Sequence, residues 1–258
     1  MQYIQSGEKS FFKFDNLSAA GVFHFTSTKE GWQEDAHVRF TGDQPGEYQG
    51  FRKELATSLK LDEQTFLFPR QVHGTHIEVI DGPVDATSLP DTDALITNQP
   101  DVCVCVQSAD CVPILIYDPI QHVVGAVHSG WRGTVNKLVS KTIYKMQMAF
   151  DSMPEDLLVG IGPSIYMHAY EVGSEVINPV REKFVNYRQL LRPSAEKGKA
   201  YFDLWEANKT LLVNTGVPLE NIEIMGFCTY SHEALFYSAR REGSKTGRMV
   251  SGIMLSKK

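Results

Sequence analysis

The stretch Ser108–Gly133, SADCVPILIYDPIQHVVGAVHSGWRG, constrains the fold more than any other part of the chain. It contains two short runs rich in β-branched residues, Pro113–Asp118 and His122–His128, and such runs favour strands. Asp118-Pro119 breaks the first run from the second, and a connection this short joins antiparallel strands. Pairing of that kind brings the start of one strand beside the end of the other. Cys111 and His128 then lie at one sheet edge. A third run, Val102–Gln107, alternates Cys103 and Cys105 onto one face, with no His or Asp beside them. That pattern reads as core packing, where cysteine behaves as a small hydrophobe.

Downstream the period changes. Val135, Leu138, Val139, Thr142, Ile143, Met146 and Phe150 recur at helical spacing, which predicts an amphipathic helix from Thr134 to about Phe150. Asp151 and Pro154 stop it. Leu157–Pro163 reads as a strand, and Val172 to about Tyr187 as a helix that Pro179 must kink or restart. Asp203 is placed to cap a helix that closes at Gly216. NIEIMGF, LFYSARR and GRMVSGIML predict a strand-rich C-terminal third, while HFTSTKEGW near the N-terminus is ambiguous. Mixed, mostly antiparallel strands with a few helices indicate an α+β fold, taken as one domain over residues 1–258.

With 258 residues, 42% of them hydrophobic, the chain can bury a full core. A net charge of −6 and a pI near 5.8 leave no basic field to hold nucleic acid. No stretch approaches the roughly 20 apolar residues that cross a bilayer, and MQYIQSGEKSFFKF lacks the features of a signal peptide. The four cysteines, Cys103, Cys105, Cys111 and Cys228, form no CxxC pair or regular framework. Free thiols in a reducing cytoplasm are the expectation. Nothing in the sequence specifies an oligomeric state.

Cys111 and His128 gain a third partner from RQVHGTHI, which offers His73 and His76. Three Cys and His ligands with a position left open is the arrangement of catalytic zinc, and the donor set would also accept copper. His76 lies in an apparently extended stretch and is the weaker candidate of the two.

Several ordered motifs resemble the YfiH family, long labelled multicopper polyphenol oxidase or laccase-like. They are QVHG (Gln71–Gly74), ADCVP (Ala109–Pro113), HSGWRG (His128–Gly133), IGPSI (Ile161–Ile165), YEVG (Tyr170–Gly173), Cys228-Thr229 and FYSARREGSKTGR (Phe236–Arg248). The resemblance covers nearly all of the chain after about residue 65. It implies a layered α/β/β/α domain and a zinc held by His73, Cys111 and His128. The implied activity is phosphorolysis of purine nucleosides (adenosine, inosine, guanosine and S-methyl-5'-thioadenosine), with adenosine deamination on the side. Two departures from the family pattern bear on pocket shape. His168-Ala169 stands where a cysteine is common, and Ala239 stands where an aromatic is.

The chemistries make different demands. A multicopper laccase uses many histidines, largely in His-x-His pairs, whereas this chain has 8 histidines and no such pair. Zinc deaminases pair a metal-activated water with a carboxylate, for which Glu171 and Asp93 are candidates, but their H-x-E…P-C-x-x-C signature is absent. Phosphorolysis needs phosphate held against the sugar carbon while the base departs with negative charge. Arg132, at the turn before the predicted helix, is a catalytic candidate for that phosphate. Arg240, Arg241 and Arg248 form a second basic cluster. A Cys111/His128 nucleophile–base pair of a cysteine hydrolase is the competing enzyme class, and a zinc-stabilised binding module is the non-enzymatic one.

Overall fold

The structure is a computed structural model that describes residues 1–32, 37–82 and 89–256. Val112–Asp118 and Val123–Ser129 pair antiparallel, with Pro113 opposite His128. Side chains alternate across this pair. Ile114, Ile116, Val123 and Val127 face one core, while Leu115, Tyr117, Val124 and Ala126 face another. Both faces are buried, which explains why these runs are apolar throughout rather than alternating.

Among the described residues, this pair is the centre of a six-stranded sheet. Its order is Ile222–Ile224, Leu158–Ile161, Val112–Asp118, Val123–Ser129, Ala94–Thr97, Ile77–Ile80. A second six-stranded sheet runs Gln2–Ser6, Lys9–Lys13, Phe23–Ser27, Met249–Met254, Cys103–Ser108, Phe66–Leu67. Three pairings, Leu158–Ile161 with Ile222–Ile224, Phe66–Leu67 with Cys103–Ser108 and Ile77–Ile80 with Ala94–Thr97, are parallel, and the other pairings in the two sheets are antiparallel.

The two sheets pack face to face. Val104, Val106 and Ile253 from one meet Leu115, Val124 and Ala126 from the other. Outside the first-described sheet lie helices Trp131–Val135, Leu138–Phe150, Ser174–Lys183 and Leu204–Asn214. Outside the second lies Gln49–Leu59, which packs Leu55 and Ala56 beside Cys103, Cys105 and Val250. The layers are therefore α/β/β/α, the mixed and mostly antiparallel architecture expected. A three-stranded sheet, Glu171–Val172, Ala200–Phe202 and Leu191–Pro193, sits to the side.

Three expectations need correction. The helix expected over Thr134–Phe150 is two helices, because Lys137 adopts φ 59° between them. That break lets Thr134 meet Ser129 and Asn208 while Leu138, Val139, Ile143 and Met146 face the sheet. Helix Ser174–Lys183 runs through Pro179 and ends before Tyr187. Proline there forfeits one backbone hydrogen bond, and burial of Val176, Ile177 and Val180 holds the helix together. LFYSARR is not a strand. Its end, Ala239–Glu242, is a short helix whose first turn is capped by Ser238 Oγ and by the Asp110 carboxylate. HFTSTKEGW, ambiguous in sequence, contributes strand Phe23–Ser27. Asp203 caps its helix as expected, accepting from the Glu206 N–H at 2.9 Å.

Candidate active site

The antiparallel register delivers what the strand ends promised. The donor atoms of His73, Cys111 and His128 all lie within 4.8 Å of one another. Cys111 immediately precedes one strand, and His128 is the penultimate residue of its partner. His73 arrives on a separate loop with φ 61°, a left-handed conformation that costs roughly 1–3 kcal/mol and needs support from its surroundings.

Asp93 supplies that support. Its buried carboxylate accepts from the N–H groups of Val72, His73 and Gly74 at 3.2, 3.0 and 2.7 Å. It also accepts from His128 Nδ1 at 2.8 Å, and its backbone carbonyl takes the His128 N–H at 2.8 Å. One residue thus fixes both the strained loop and the imidazole, and leaves His128 Nε2 for the cluster. Burial pushes the Asp93 carboxyl up, but His128 and the loop N–H groups outweigh it and hold the acid below its ordinary range. Asp93, a candidate acid–base group in the sequence, has both carboxylate oxygens engaged, by His128 and by the loop N–H groups. Gln71 makes a second tie, exchanging hydrogen bonds of 2.8 Å with the Gln107 backbone on strand Cys103–Ser108.

Electrostatics inside the cluster run in opposite directions for half-buried Cys111 and buried His128. Burial disfavours the Cys111 thiolate, yet His128 and then His73 bring its pKa down to about 6. Burial likewise disfavours a charged His128, yet Cys111 and Asp93 raise it to about 9. Without a metal this is a thiolate–imidazolium pair at neutral pH. Gly130 lets the strands close around it. A Cβ there would stand 2.9 Å from Cys111 Sγ and 3.2 Å from His73 Cδ2.

The other sequence candidates separate cleanly. His76 bonds to Glu78 at 3.1 Å and stands outside the cluster. Cys103 and Cys105 are fully buried beside Phe25 and Phe66, as their alternation suggested. Cys228 is buried and accepts the Tyr166 N–H at 3.3 Å. Glu171 is engaged by Ser194 and Lys199.

A cavity of about 520 Å3 opens over the cluster, lined by His73, Cys111 and His128 together with Gln71, Gln107, Tyr170, Ala239, Arg240, Ser244 and Arg248. Its size is that of a small-molecule site. The arginines differ in what they have left to offer. Arg241 spends its guanidinium on the carbonyls of Thr229, Tyr230 and Phe236 and on Glu242. Arg248 holds the carbonyls of Ser244, Thr246 and Gly247, pinning the loop at the cavity wall. Arg132 is exposed, stacked over Trp131 at 4.4 Å, and is not among the cavity-lining residues. Arg240 gives one nitrogen to the Glu171 carbonyl, and no described residue accepts from its Nε or Nη2. Its own N–H is held by Asp110, which also accepts from Thr229 Oγ1 at 2.6 Å.

Asp110, Tyr170, Gln71 and Gln107 were not singled out from the sequence. Asp110 lies inside a quoted motif, but its φ of 91° and its reach to residues 229 and 240 exist only in the folded chain.

Residues 27–256 match the family model described as multi-copper polyphenol oxidoreductase laccase. A curated relative from Bacteroides thetaiotaomicron, named purine nucleoside phosphorylase, is 34% identical over 97% of this chain and 98% of its own length. Another, named adenosine deaminase RL5 and from an unknown prokaryotic organism, is 32% identical over 92% of this chain and 95% of its own. The crystal structure of the Bacillus licheniformis hypothetical protein YfiH superposes with a TM-score of 0.87 at 29% identity, covering 98% of both chains.

Proposed function

The chain belongs to the multi-copper polyphenol oxidoreductase laccase family, and from that premise we propose that it is a zinc-dependent purine nucleoside phosphorylase. One observation carries the reading. A His–Cys–His donor set and a guanidinium with unclaimed donors face the same cavity. Relatives named as purine nucleoside phosphorylases support the phosphorolysis, and one named as an adenosine deaminase supports the side activity. The substrates are adenosine, inosine, guanosine and S-methyl-5'-thioadenosine with inorganic phosphate, and adenosine deamination is a side activity.

Two imidazoles and a thiolate fit zinc, and His73, Cys111 and His128 would hold it. Bound there, zinc would supply Lewis-acid polarisation. The chain's own residues do the rest. Arg240 binds phosphate through Nε and Nη2, while its third nitrogen and backbone stay anchored to Glu171 and Asp110. Arg248 shapes the wall beside it, and Arg132 adds positive charge from outside the lining. Asp93 keeps His128 oriented and carries the His73 loop. The reading treats residues 1–258 as one domain, supported by the core that both sheets share. It also places the protein in the cytoplasm, where its four free cysteines stay reduced. No described helix is long and apolar enough to cross a membrane.

A second reading rests on a chain of contacts from Asp93 to His128 to Cys111, the arrangement of orienter, base and nucleophile in a cysteine hydrolase. A thiolate held by zinc is not free to attack, so tight stoichiometric zinc would count against it.

The test is adenosine with purified protein, with and without phosphate, products separated by chromatography. Adenine and ribose 1-phosphate forming only with phosphate support the proposal. Inosine forming equally in both buffers makes deamination the main activity, and untouched adenosine overturns both. Arg240→Ala and, to a smaller extent, Arg132→Ala should raise the KM for phosphate more than the KM for nucleoside.

A further inference from the structure

We propose that Tyr170 is a catalytic residue of this site, its hydroxyl donating a hydrogen bond to the purine as it leaves. The inference rests on the phosphorylase reading and assigns the leaving-group side of the same reaction.

Tyr170 lines the cavity with the metal-ligand cluster. The ring is held on several sides. Phe202 packs against it at 6.3 Å between centroids, and the Arg240 guanidinium covers it at 5.2 Å. The backbone is fixed as well, with the Tyr170 N–H given to Met167 and its carbonyl taken by Phe202. The hydroxyl, by contrast, has no hydrogen-bond partner among the described residues. Nor is it among the enclosed polar atoms that lack a partner, so it stays accessible to a molecule in the cavity. Here the ring is fixed by packing and the polar end is left for a ligand.

A phenol is an uncharged donor at neutral pH, its ordinary pKa being about 10, and it offers a hydrogen bond without giving up its proton. Phosphorolysis breaks the C1'–N9 bond and leaves its electron pair on the purine. A phosphate oxygen forms the new bond to C1', and dihydrogen phosphate supplies the proton the departing purine needs. Arg240 serves the phosphate, so the negative charge growing on the base needs a separate, uncharged donor. Tyr170 is such a group, and removing one donor aimed at developing charge typically costs about 10²–10³ in kcat.

The test compares Tyr170→Phe with wild type on guanosine and on 7-methylguanosine, whose base departs without negative charge. Zinc content and thermal midpoint are measured on both proteins. The expected result is a kcat on guanosine lower by about 10²-fold, of the size of a lost oxyanion donor, with a loss on 7-methylguanosine within about threefold. Zinc content should not change. Equal losses on both substrates, or none on either, would overturn the role of Tyr170 while leaving the phosphorylase reading intact. Altered zinc or a large fall in thermal midpoint would make Tyr170 structural. Wild-type protein that cleaves neither nucleoside would remove the phosphorylase reading and this role with it.

Discussion

Cys105 and Cys111 are six positions apart in sequence, and burial acts against the thiolate in both. Their chemistry nevertheless diverges. Cys105 faces the helix-covered side of its sheet, with Cys103 Sγ 3.7 Å away, and burial followed by that second thiol pushes it well above its ordinary range. Cys111 lies at a strand end, where His128 and His73 bring it down to about 6. The lesson is that burial alone makes a cysteine inert. Burial beside an imidazole that is itself anchored on a carboxylate makes it a thiolate.

The comparison breaks most visibly at the ligands. Cys111→Ala and His128→Ala should each reduce bound zinc to well below one per chain and abolish turnover, as read by metal analysis and product chromatography. Full zinc occupancy in both would remove the triad. Asp93→Asn comes next. It keeps the size of the side chain but loses the charge that orients His128 and gathers the loop N–H groups, so zinc affinity should fall about 10–100-fold, as for other outer-shell partners. Competition with a chromogenic chelator measures it.

Protons sharpen the same contrast. Between pH 6 and 9 the metal-free site keeps Cys111 as thiolate and His128 protonated, so zinc must displace one proton. Its affinity should therefore rise about tenfold per pH unit across that window. Below pH 6 the thiol is protonated too, and the dependence steepens. A flat profile from 6 to 9 would deny the thiolate–imidazolium pair. Gly130→Ala tests closeness without altering any ligand. The added methyl group, 2.9 Å from Cys111 Sγ, should displace the thiol and weaken zinc binding by a smaller factor, read by the same competition. Cys103→Ser and Cys105→Ser should leave zinc untouched. They should lower stability by about 1–3 kcal/mol, since each would bury a hydroxyl among apolar side chains.

Much of the scaffold was legible because it depends on short-range chemistry. Alternation in Val102–Gln107 and the short Asp118-Pro119 connection foretold which cysteines enter the core and which strand ends meet. Asp203 as a cap was equally local. The reading failed where a distant partner outweighed the local pattern. The Asp110 carboxylate caps the end of LFYSARR as a helix, and left-handed Lys137 separates the first helix from the second while Thr134 bonds to Asn208. Arginines showed the same limit, since their spacing could not reveal that Arg241 and Arg248 are consumed by backbone carbonyls while Arg240 keeps donors for a ligand.

By itself, then, the sequence determined the strand pair, its shared edge, and the presence there of Cys111 and His128, because period, turn residues and β-branching act within a few positions. Only the tertiary structure decided that His73 rather than His76 joins them, that the Asp93 carboxylate meets His128 Nδ1 and the His73 loop, and that Tyr170 and Arg240 face the same cavity. Those outcomes depend on loops and sheets meeting across long stretches of chain, and the free energy of such contacts exists only once both sides are packed.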